Sequence, residues 1–510
     1  MSRTTPRRIV RNTVVNGVSY LFLMISSFVL VPIIVGTLGT EVYGGIWVTV
    51  GVLTAYMGLV DLGTGTAFVK YIAEFFTRDD EESLSRVVNT GMAMYATVGV
   101  IMLGIAWLFG RDAMALAGVP SSLLDDGVFV LRVGVVVFVV TNMFSPMTSV
   151  LTGIQRLDVQ AGVAMGVQTC NIAGTLLVVA HHWGVRGLML NNLAVALLNA
   201  LAMGFAALRF MPGIRFGVRY CRLDMARRFL AYGMNLQISK IAQVILFQTD
   251  RILSLRFFGY ATAALYDIGA RLNGAARAFS LLSVSAAVPV VSELQALHDR
   301  ERLLGLYRRT TKYVAIVTST IFAFVAFFAK DILVTWMGTG FIASAPIVIA
   351  LALGYYGNAL TGVASSLSAG VGKTEFDRRY GIMAAPVNIA ATLSGAWLFG
   401  AVGIAIGTSA ALVLSGVYFM ALVHRYLDVS LRTIAGLILR PLASAVCAAT
   451  VVLLAKTLLG LEAASRWQGM LILAGVFAGY IVLLLIALRW TRSIDATDVS
   501  LVRSIIRKET

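Results

Sequence analysis

The chain has 510 residues, of which 58% are hydrophobic and only 13% are charged. Soluble globular domains are nearer about 45–50% apolar and about 25% charged, so the composition excludes a water-soluble multidomain enzyme. Nine prolines and no long Ser-, Gln- or Pro-rich tract also exclude a disordered or fibrous chain. We therefore predict a polytopic integral membrane protein.

The 41 basic residues exceed the 25 acidic ones and give a net charge of +16. They form short clusters between apolar runs, a pattern typical of cytoplasmic loops. A nucleic-acid surface would need contiguous basic charge, so we expect no nucleic-acid partner. The three cysteines, Cys170, Cys221 and Cys447, are far apart and are interpreted as packing residues.

Apolar windows of about 20 residues predict an all-α fold with about 14 transmembrane helices. The predicted spans are 13–37, 45–69, 88–109, 128–153, 161–181, 187–208, 231–257, 262–292, 312–336, 344–370, 381–399, 401–424, 438–459 and 469–490. With the N-terminus inside, 30 basic residues fall in cytoplasmic segments and 5 in the opposite loops. This asymmetry predicts that both termini face the cytoplasm.

Two short fragments recur at nearly constant separation. Gly153-Ile-Gln-Arg156 and Gly370-Val-Gly-Lys373 are 217 residues apart, and the glycines of Gly184-Val-Arg-Gly187 and Gly400-Ala-Val-Gly403 are 216 apart. A weaker match pairs Leu38-Gly39 with Phe258-Gly259 at 220 residues. They predict two pseudo-symmetric six-helix lobes related by an axis along the membrane normal. We expect an N-terminal lobe at 1–222, a C-terminal lobe at 223–430, and two extra helices with a cytoplasmic tail at 431–510.

Charged residues inside spans point to a function because they normally face a cavity or a partner. The seventh span carries polar residues at helical spacing, which places them along one face. The eighth span pairs an acid and a base four residues apart and adds a further cation. The candidate substrate-binding residues on these spans are Lys240, Gln243, Arg251, Arg271 and Arg277, and the candidates for ion pairing or coupling are Asp250 and Asp267.

Two hypotheses fit these charges. In one, the cations line a hydrated lumen between the lobes and receive an anionic substrate. In the other, they form structural ion pairs that lock helices together. Lys240 and Arg277 favour the first hypothesis because neither has an anion nearby in sequence, whereas Arg251 and Arg271 fit both equally.

The first lobe offers fewer candidates. Asn16 lies on a mild polar stripe of the first span and is a further candidate for binding substrate, although small polar residues also serve helix packing. Asp61 is the one acid in the membrane core of this lobe. It could bind a cation or proton, but the sequence favours a packing acid bound to a neighbouring amide.

No catalytic signature accompanies these residues. Gly370-Val-Gly372-Lys373-Thr374 resembles the end of a phosphate-binding loop, but that motif needs a glycine at position 367, which is leucine. We therefore expect a protein that is not an enzyme, with no catalytic residue, no metal and no cofactor beyond a coupling H⁺ or Na⁺.

With these residues in view, the sequence resembles the multidrug/oligosaccharidyl-lipid/polysaccharide exporter superfamily, and within it the polysaccharide-transport branch of Wzx-type oligosaccharide flippases. The resemblance extends over essentially the whole chain and depends on the order of short motifs. These are Leu38-Gly39-Thr-Glu-Val-Tyr43-Gly44, Asp61-Leu62-Gly63, Gly153-Ile-Gln155-Arg156, Thr249-Asp250-Arg251 and Tyr266.

The resemblance implies alternating-access transport of an undecaprenyl-pyrophosphate-linked oligosaccharide, for O-antigen, exopolysaccharide or capsule, from the inner to the outer leaflet of the bacterial plasma membrane. It also implies contact with membrane lipid, a polysaccharide polymerase and a chain-length regulator. Arg and Lys suit such a substrate because they bind phosphate oxygens through charge-assisted hydrogen bonds.

Two relatives in the superfamily are alternatives. Cation- or proton-coupled drug antiporters usually depend on acidic residues in the first or seventh span, and Asp250 keeps that option open. Lipid II flippases tend to have several cations in the first two spans, whereas Arg11 is the nearest one here. An integral-membrane glycosyltransferase is disfavoured because the longest predicted external loop, 110–127, carries one Arg and three Asp.

Overall fold

We analysed a computed structural model of the chain. It describes residues 6–61, 63–282, 284, 287–297, 299–373, 375–462, 465–494 and 498. Those residues form helices and connecting turns, and none of them is in a β-strand. The ends of the two tails that we predict to be cytoplasmic, 1–5 and 499–510, lie outside the described residues.

The described chain forms two compact units, Met1–Ala264 and Leu265–Thr510. The first unit contains eight helices and most of a ninth, which continues beyond Ala264. They are α1 (Pro6–Val42), α2 (Thr49–Met57), α3 (Thr64–Thr77), α4 (Glu81–Leu116), α5 (Leu124–Met143), α6 (Ser145–Gly153), α7 (Leu157–Ala180), α8 (Gly184–Phe210) and α9 (Leu223–Leu281). A π-helical turn, Tyr43–Val48, joins α1 to α2, and a 3-10 turn, Gly58–Asp61, ends α2.

The second unit contains the last part of α9 and seven further helices. They are α10 (Ala287–Ala296), α11 (Arg300–Phe327), α12 (Ala329–Met337), α13 (Ala345–Gly370), α14 (Glu375–Leu427), α15 (Leu431–Leu458) and α16 (Arg466–Trp490). The division at Ala264 differs from the lobe boundary at residue 222 that the repeat predicts. The repeat-based division remains a prediction.

Helical segments coincide with all fourteen predicted spans, so the all-α membrane fold is confirmed. The helices do not correspond one to one with the predicted spans. Helices α1, α9 and α14 each contain a break at a glycine with non-helical φ and ψ angles, at Gly39, Gly259 and Gly400 respectively. Within the part of the chain that the structure describes, nine helical stretches are long and apolar enough to cross a membrane. Helix α9 is not among them, consistent with the charged side chains that lower its hydropathy.

Pro146 falls inside the predicted span 128–153, where a proline could kink a helix, but it causes no kink there. It lies in the first turn of α6, immediately after α5 ends at Met143, so it starts a helix. Proline is tolerated there because its missing N–H would have no intrahelical acceptor.

Among the residues that the structure describes, two apolar clusters lie in each unit. In the first unit, Phe68, Val87 and Phe229 belong to one cluster, and Ile46 and Leu131 belong to the other. In the second unit, one cluster includes Tyr307, Val363 and Phe419. The other joins α15 and α16 to α11 and α12 through residues such as Phe328, Ala449 and Tyr480, so the two extra helices pack on this unit.

The sequence repeat has a counterpart in the backbone. Four pairs of residues separated by 216–220 positions both adopt positive φ angles. The pairs are Gly39 and Gly259 (73° and 82°), Gly118 and Gly338 (both 94°), Gln155 and Gly372 (59° and 76°), and Gly184 and Gly400 (61° and 63°). The side chains of Asp80 and Asp299, 219 residues apart, cap α4 and α11 by accepting a hydrogen bond from a backbone N–H. The two halves thus share helix breaks and caps even where their side chains differ.

Candidate functional site

The second span is broken next to Asp61. The 3-10 turn ends at Asp61, and α3 starts at Thr64 after Gly63, whose φ of 74° lies in the left-handed region. A Cβ on Gly63 would lie 2.7 Å from the backbone oxygen of Gly233 in α9, so the two segments approach at backbone distance. Broken helices of this kind form binding sites in transporters because their exposed ends can hold polar groups at membrane depth.

Three side chains donate to the Asp61 carboxylate. Lys240 of α9 places its Nζ 2.6 Å from Oδ2. The Tyr95 hydroxyl of α4 donates to Oδ1, and the Thr64 hydroxyl lies 3.1 Å from the same oxygen. Tyr95 and Thr64 are also within hydrogen-bonding distance of each other, at 2.8 Å. The carboxylate is therefore held by an ammonium on one oxygen and by hydroxyls on the other.

Helix α9 is fixed to the break by a second contact. The Gln237 side-chain amide donates to the backbone oxygen of Leu59, within the turn that precedes Asp61. Gln237 is buried, whereas the Lys240 side chain one turn later is 39% exposed. Lys240 thus reaches an anion and retains an open face, which an incoming ligand could contact.

The remaining candidates in the first unit have different surroundings. Asp250 is buried, and its neighbour Thr249 lies 2.5 Å from the hydroxyl of Tyr56. The Arg251 guanidinium donates to the Phe247 carbonyl at 2.7 Å and to the Gln248 side chain at 2.5 Å. Gln243 is exposed and Asn16 is half-buried. The predicted polar face of α9 therefore includes both buried and exposed members.

In the second unit, the other end of α9 carries a second set of polar contacts. Arg271 donates to Asp267 at 2.5 Å; the carboxylate is 2% exposed and the guanidinium 39% exposed. Arg277 donates to the Asn358 side-chain oxygen of α13 at 2.6 Å. Asn358 in turn donates to the Tyr380 hydroxyl of α14 at 3.1 Å, so three helices share one chain of hydrogen bonds.

A further acid lies one turn before Tyr380. Asp377 accepts a hydrogen bond from the Ser365 hydroxyl at 2.6 Å. The formal charges of these site residues balance within each unit: Asp61 and Asp250 offset Lys240 and Arg251, and Asp267 and Asp377 offset Arg271 and Arg277. The candidates on α9 are four bases and two acids, so the two further acids, Asp61 and Asp377, bring the sum of these formal charges to zero. Both acids come from outside α9.

Sequence reasoning missed the hydroxyl and amide partners. Tyr95, Asn358 and Tyr380 belong to no motif and reach the site only through the fold, whereas Thr64 follows Asp61 by three residues. A polar or tyrosine side chain within an apolar span is the one sequence signal that could have selected them.

Residues 9–295 match the family described as "Polysaccharide biosynthesis protein". A relative found by sequence, "Uncharacterized membrane protein EpsK" of Bacillus subtilis (strain 168), is 20% identical over 341 residues. That alignment covers 65% of this chain and 66% of the relative, slightly less than two thirds of its length.

Solved structures share the fold. "Lipid II flippase MurJ, inward closed conformation" superposes with a TM-score of 0.73 at 15% identity, over 94% of this chain and 99% of that one. A multidrug resistance MATE family transporter of the MOP superfamily, in an inward-facing conformation, gives a TM-score of 0.64 at 16% identity, over 79% and 98% of the two chains. At these identities the likeness concerns the fold alone.

The helical architecture, the apolar spans and the charged residues within them define a multi-pass membrane protein with the fold of transporters. The chain belongs to the family described as "Polysaccharide biosynthesis protein", whose model matches 287 of its 510 residues.

Proposed function

We propose that this protein is a flippase that carries an undecaprenyl-pyrophosphate-linked oligosaccharide repeat unit from the inner to the outer leaflet of the bacterial plasma membrane by alternating access. The repeat unit would serve O-antigen, exopolysaccharide or capsule synthesis, and both termini would face the cytoplasm. In this role the protein would work beside a polymerase and a chain-length regulator, which consume the flipped unit.

The observation that carries this proposal is the ion pair between Lys240 and Asp61. Lys240 is half-exposed, so an anion can reach its ammonium, while Asp61 lies within a broken helix and is held by two hydroxyl groups. When the ammonium moves to a substrate, Tyr95 and Thr64 continue to donate to the carboxylate. An ionised group inside the hydrocarbon costs about 2.5–3.5 kcal/mol on insertion scales, so those donors matter when the lysine leaves.

We infer an exchange mechanism. In the resting protein Lys240 pairs with Asp61, and an arriving pyrophosphate, with more negative charge than one carboxylate, takes over the ammonium. The substrate leaves when Asp61 recovers its partner, and a proton or cation on Asp61 would assist the exchange. While the substrate holds the ammonium, the hydroxyls of Tyr95 and Thr64 remain as the hydrogen-bond donors to Asp61.

The second unit offers a comparable arrangement. The Arg271 guanidinium, half-exposed and paired with Asp267, can bind phosphate oxygens or an acidic sugar through its remaining N–H groups. Arg277 donates to Asn358, which donates to Tyr380, so a ligand bound to Arg277 would affect the hydrogen bonds to α13 and α14 together.

The experiment compares Lys240→Met, Asp61→Asn and the double variant in a strain that lacks the chromosomal gene. Surface polysaccharide is stained and the protein in the membrane is quantified by immunoblot. If Lys240 binds substrate, Lys240→Met and the double variant both lose at least about tenfold of the polymer at normal protein level. Asp61→Asn retains the lysine and should keep partial activity.

The double variant distinguishes binding from a structural role. Replacing both partners of an ion pair by neutral groups is often close to neutral for stability, so a purely structural pair predicts recovery of polymer in the double variant. Lys456→Met is the matched control, because Lys456 forms an ion pair of the same length, 2.6 Å, with Asp331. Normal polymer in Lys240→Met, or recovery in the double variant, contradicts the proposal.

A lipid II flippase is the second candidate, since the fold of MurJ covers 94% of this chain. The same strain decides between the two. Loss of surface polysaccharide with normal growth supports the main proposal, whereas failure of cell-wall synthesis in the deletion supports the second. Sensitivity to toxic cations without either defect would indicate a drug antiporter.

A further inference from the structure

A cleft of about 560 Å³ lies where the loop between α8 and α9 meets the start of α4. Three arginines, Arg215, Arg219 and Arg222, line it together with two acids, Glu81 and Glu82. Helix α8 ends at Phe210 and α4 begins at Glu81, and both belong to stretches apolar enough to span a membrane. The cleft therefore lies at the ends of two helices of membrane-spanning length, on the side that we predict to be cytoplasmic.

The loop is fixed to α4 by polar side chains that are themselves buried. Asn89 donates to the Arg215 carbonyl at 2.8 Å and accepts from the Gly217 N–H at 2.9 Å. Ser85 accepts from the Arg215 N–H, and Thr90 accepts from the Arg222 N–H, both at 3.0 Å. The backbone that presents the arginines is thus held in place before any ligand binds, which lowers the entropic cost of binding.

Exposed apolar side chains lie next to the arginines in the sequence of this loop. Phe216, Val218 and Leu223 are 50%, 88% and 70% exposed. A loop that alternates exposed apolar groups with arginines suits the boundary between headgroups and acyl chains, where one class of side chain meets hydrocarbon and the other meets phosphate.

The two acids limit what the cleft can hold. A purely anionic ligand such as a pyrophosphate pairs with the arginines alone, whereas a ligand with separate negative and positive groups can pair with both the arginines and an acid. Glu82 is already paired with Arg86 at 2.6 Å, so Glu81 is assigned to the positive group. At the N-terminus of α4, the hydrogen bonds that Ser83 donates keep the pKa of Asp80 below its ordinary value. The Asp80 carboxylate thus occupies this helix end, so a phosphate would bind to the arginines instead.

We propose that this cleft binds the headgroup of a membrane phospholipid that carries a phosphodiester beside a primary ammonium, as in phosphatidylethanolamine. The arginines bind the phosphate, and Glu81 accepts hydrogen bonds from the ammonium. A quaternary ammonium has no N–H to donate, and a glycerol headgroup has no positive charge, so neither satisfies Glu81. The site binds a resident lipid and is separate from the transport site around Lys240.

The test uses the purified full-length chain in detergent, titrated with short-chain phosphatidylethanolamine, phosphatidylcholine and phosphatidylglycerol, and with free phosphoethanolamine. Binding is measured by native mass spectrometry and by the shift in melting temperature. We expect the ethanolamine lipid to bind at least about tenfold more tightly than the other three ligands. Equal binding of all the lipids, or tightest binding of the glycerol lipid, overturns the proposal. Free phosphoethanolamine binding as tightly as the lipid also overturns it, in favour of a water-soluble ligand.

Two variants assign the residues. Arg219→Ala with Arg222→Ala should weaken binding of the ethanolamine lipid at least about tenfold, whereas Glu81→Gln should abolish the preference over phosphatidylcholine and retain binding. The control is Arg227→Ala with Arg228→Ala, which removes the same charge from exposed positions on α9 outside the cleft. A loss of equal size in the control pair, or an unchanged preference in Glu81→Gln, contradicts the assignment.

Discussion

The Asp61 carboxylate lies in an apolar span and is contacted by the Lys240 ammonium and by two hydroxyl groups. Its second oxygen meets the hydroxyls of Tyr95 and Thr64, which lie on a different helix and on the next turn of the same span. Hydrogen bonds to a charged group contribute about 1.5–3 kcal/mol each, so the two hydroxyls offset much of the cost of losing an ammonium. In the proposed mechanism the lysine is therefore the exchangeable member of the cluster.

Tyr95→Phe tests this role, since it removes one hydroxyl and keeps the ring. We expect surface polysaccharide to fall several-fold, because Asp61 then holds Lys240 more strongly and releases it less readily to substrate. Polymer staining and membrane protein level are the measurements.

Tyr480→Phe is the matched control. Its hydroxyl donates to the Thr320 carbonyl at 3.0 Å between α16 and α11, in the second unit, whereas Asp61 belongs to the first. Both variants lose one buried hydroxyl, so both should lower the melting temperature by a few degrees. An equal fall in polymer in the two variants would show that Tyr95 matters only for stability.

At the scale of residues, the sequence identifies the charged groups but not their partners. Lys240 has no acid nearby in the chain, and the acid that it meets is 179 residues earlier. Arg277 likewise meets Asn358, 81 residues later. Local spacing predicts only pairs on one helix, such as Asp267 and Arg271, because i,i+4 neighbours share a face whatever the tertiary fold.

Among the elements, the second span is the one whose irregularity bears on function. Residues 49–77 form two short helices separated by a 3-10 turn and Gly63. The break lets Asp61 leave the helical path and lets α9 approach as far as the backbone of Gly233. A continuous helix would fill this space.

Gly63→Ala should therefore be strongly destabilising. An alanine at positive φ costs about 1–2 kcal/mol, and its Cβ would also press on the Gly233 carbonyl. We expect a lower melting temperature in detergent and loss of polymer, measured by a thermal unfolding assay and by staining.

Gly65→Ala provides the control for that substitution. Gly65 is helical, and a Cβ there meets nothing within 4 Å, so alanine should be neutral or stabilising by up to about 1 kcal/mol. If both variants behave alike, the break at Gly63 has no special importance.

Helix positions were predictable because apolar windows of membrane length are a strong signal. Breaks within a span were harder to predict from the sequence. Gly39, Gly259 and Gly400 fall at predicted span ends, but the break at Phe144, between α5 and α6, has no glycine to announce it. The pairing of α4 with the 213–222 loop was not predictable either, because Ser85, Asn89 and Thr90 look like ordinary polar residues in a helix.

For the molecule as a whole, orientation in the membrane is the prediction that every functional argument uses. It is tested by labelling single cysteines in a chain whose three native cysteines are replaced by serine. Asp79→Cys and Asp428→Cys lie in exposed segments that we predict to be cytoplasmic, and His182→Cys and Gly460→Cys lie in exposed turns on the opposite side.

A membrane-impermeant maleimide added to intact spheroplasts should label the second pair and spare the first. Permeabilised cells, in which all four should react, provide the control. Labelling of Asp79→Cys in intact spheroplasts would contradict the predicted orientation, and with it the proposed direction of transport.

The shared positive φ angles of Gly39 and Gly259 have a consequence for the history of the chain. A backbone torsion angle at a helix break should change more slowly than the residues around it, because the break sets the direction of the next helix. Side chains that face lipid can be replaced more freely. We therefore expect the matched φ angles of the predicted repeat to persist longer than the sequence similarity between its two copies. Ancient internal symmetry in other membrane proteins can be sought in the same place.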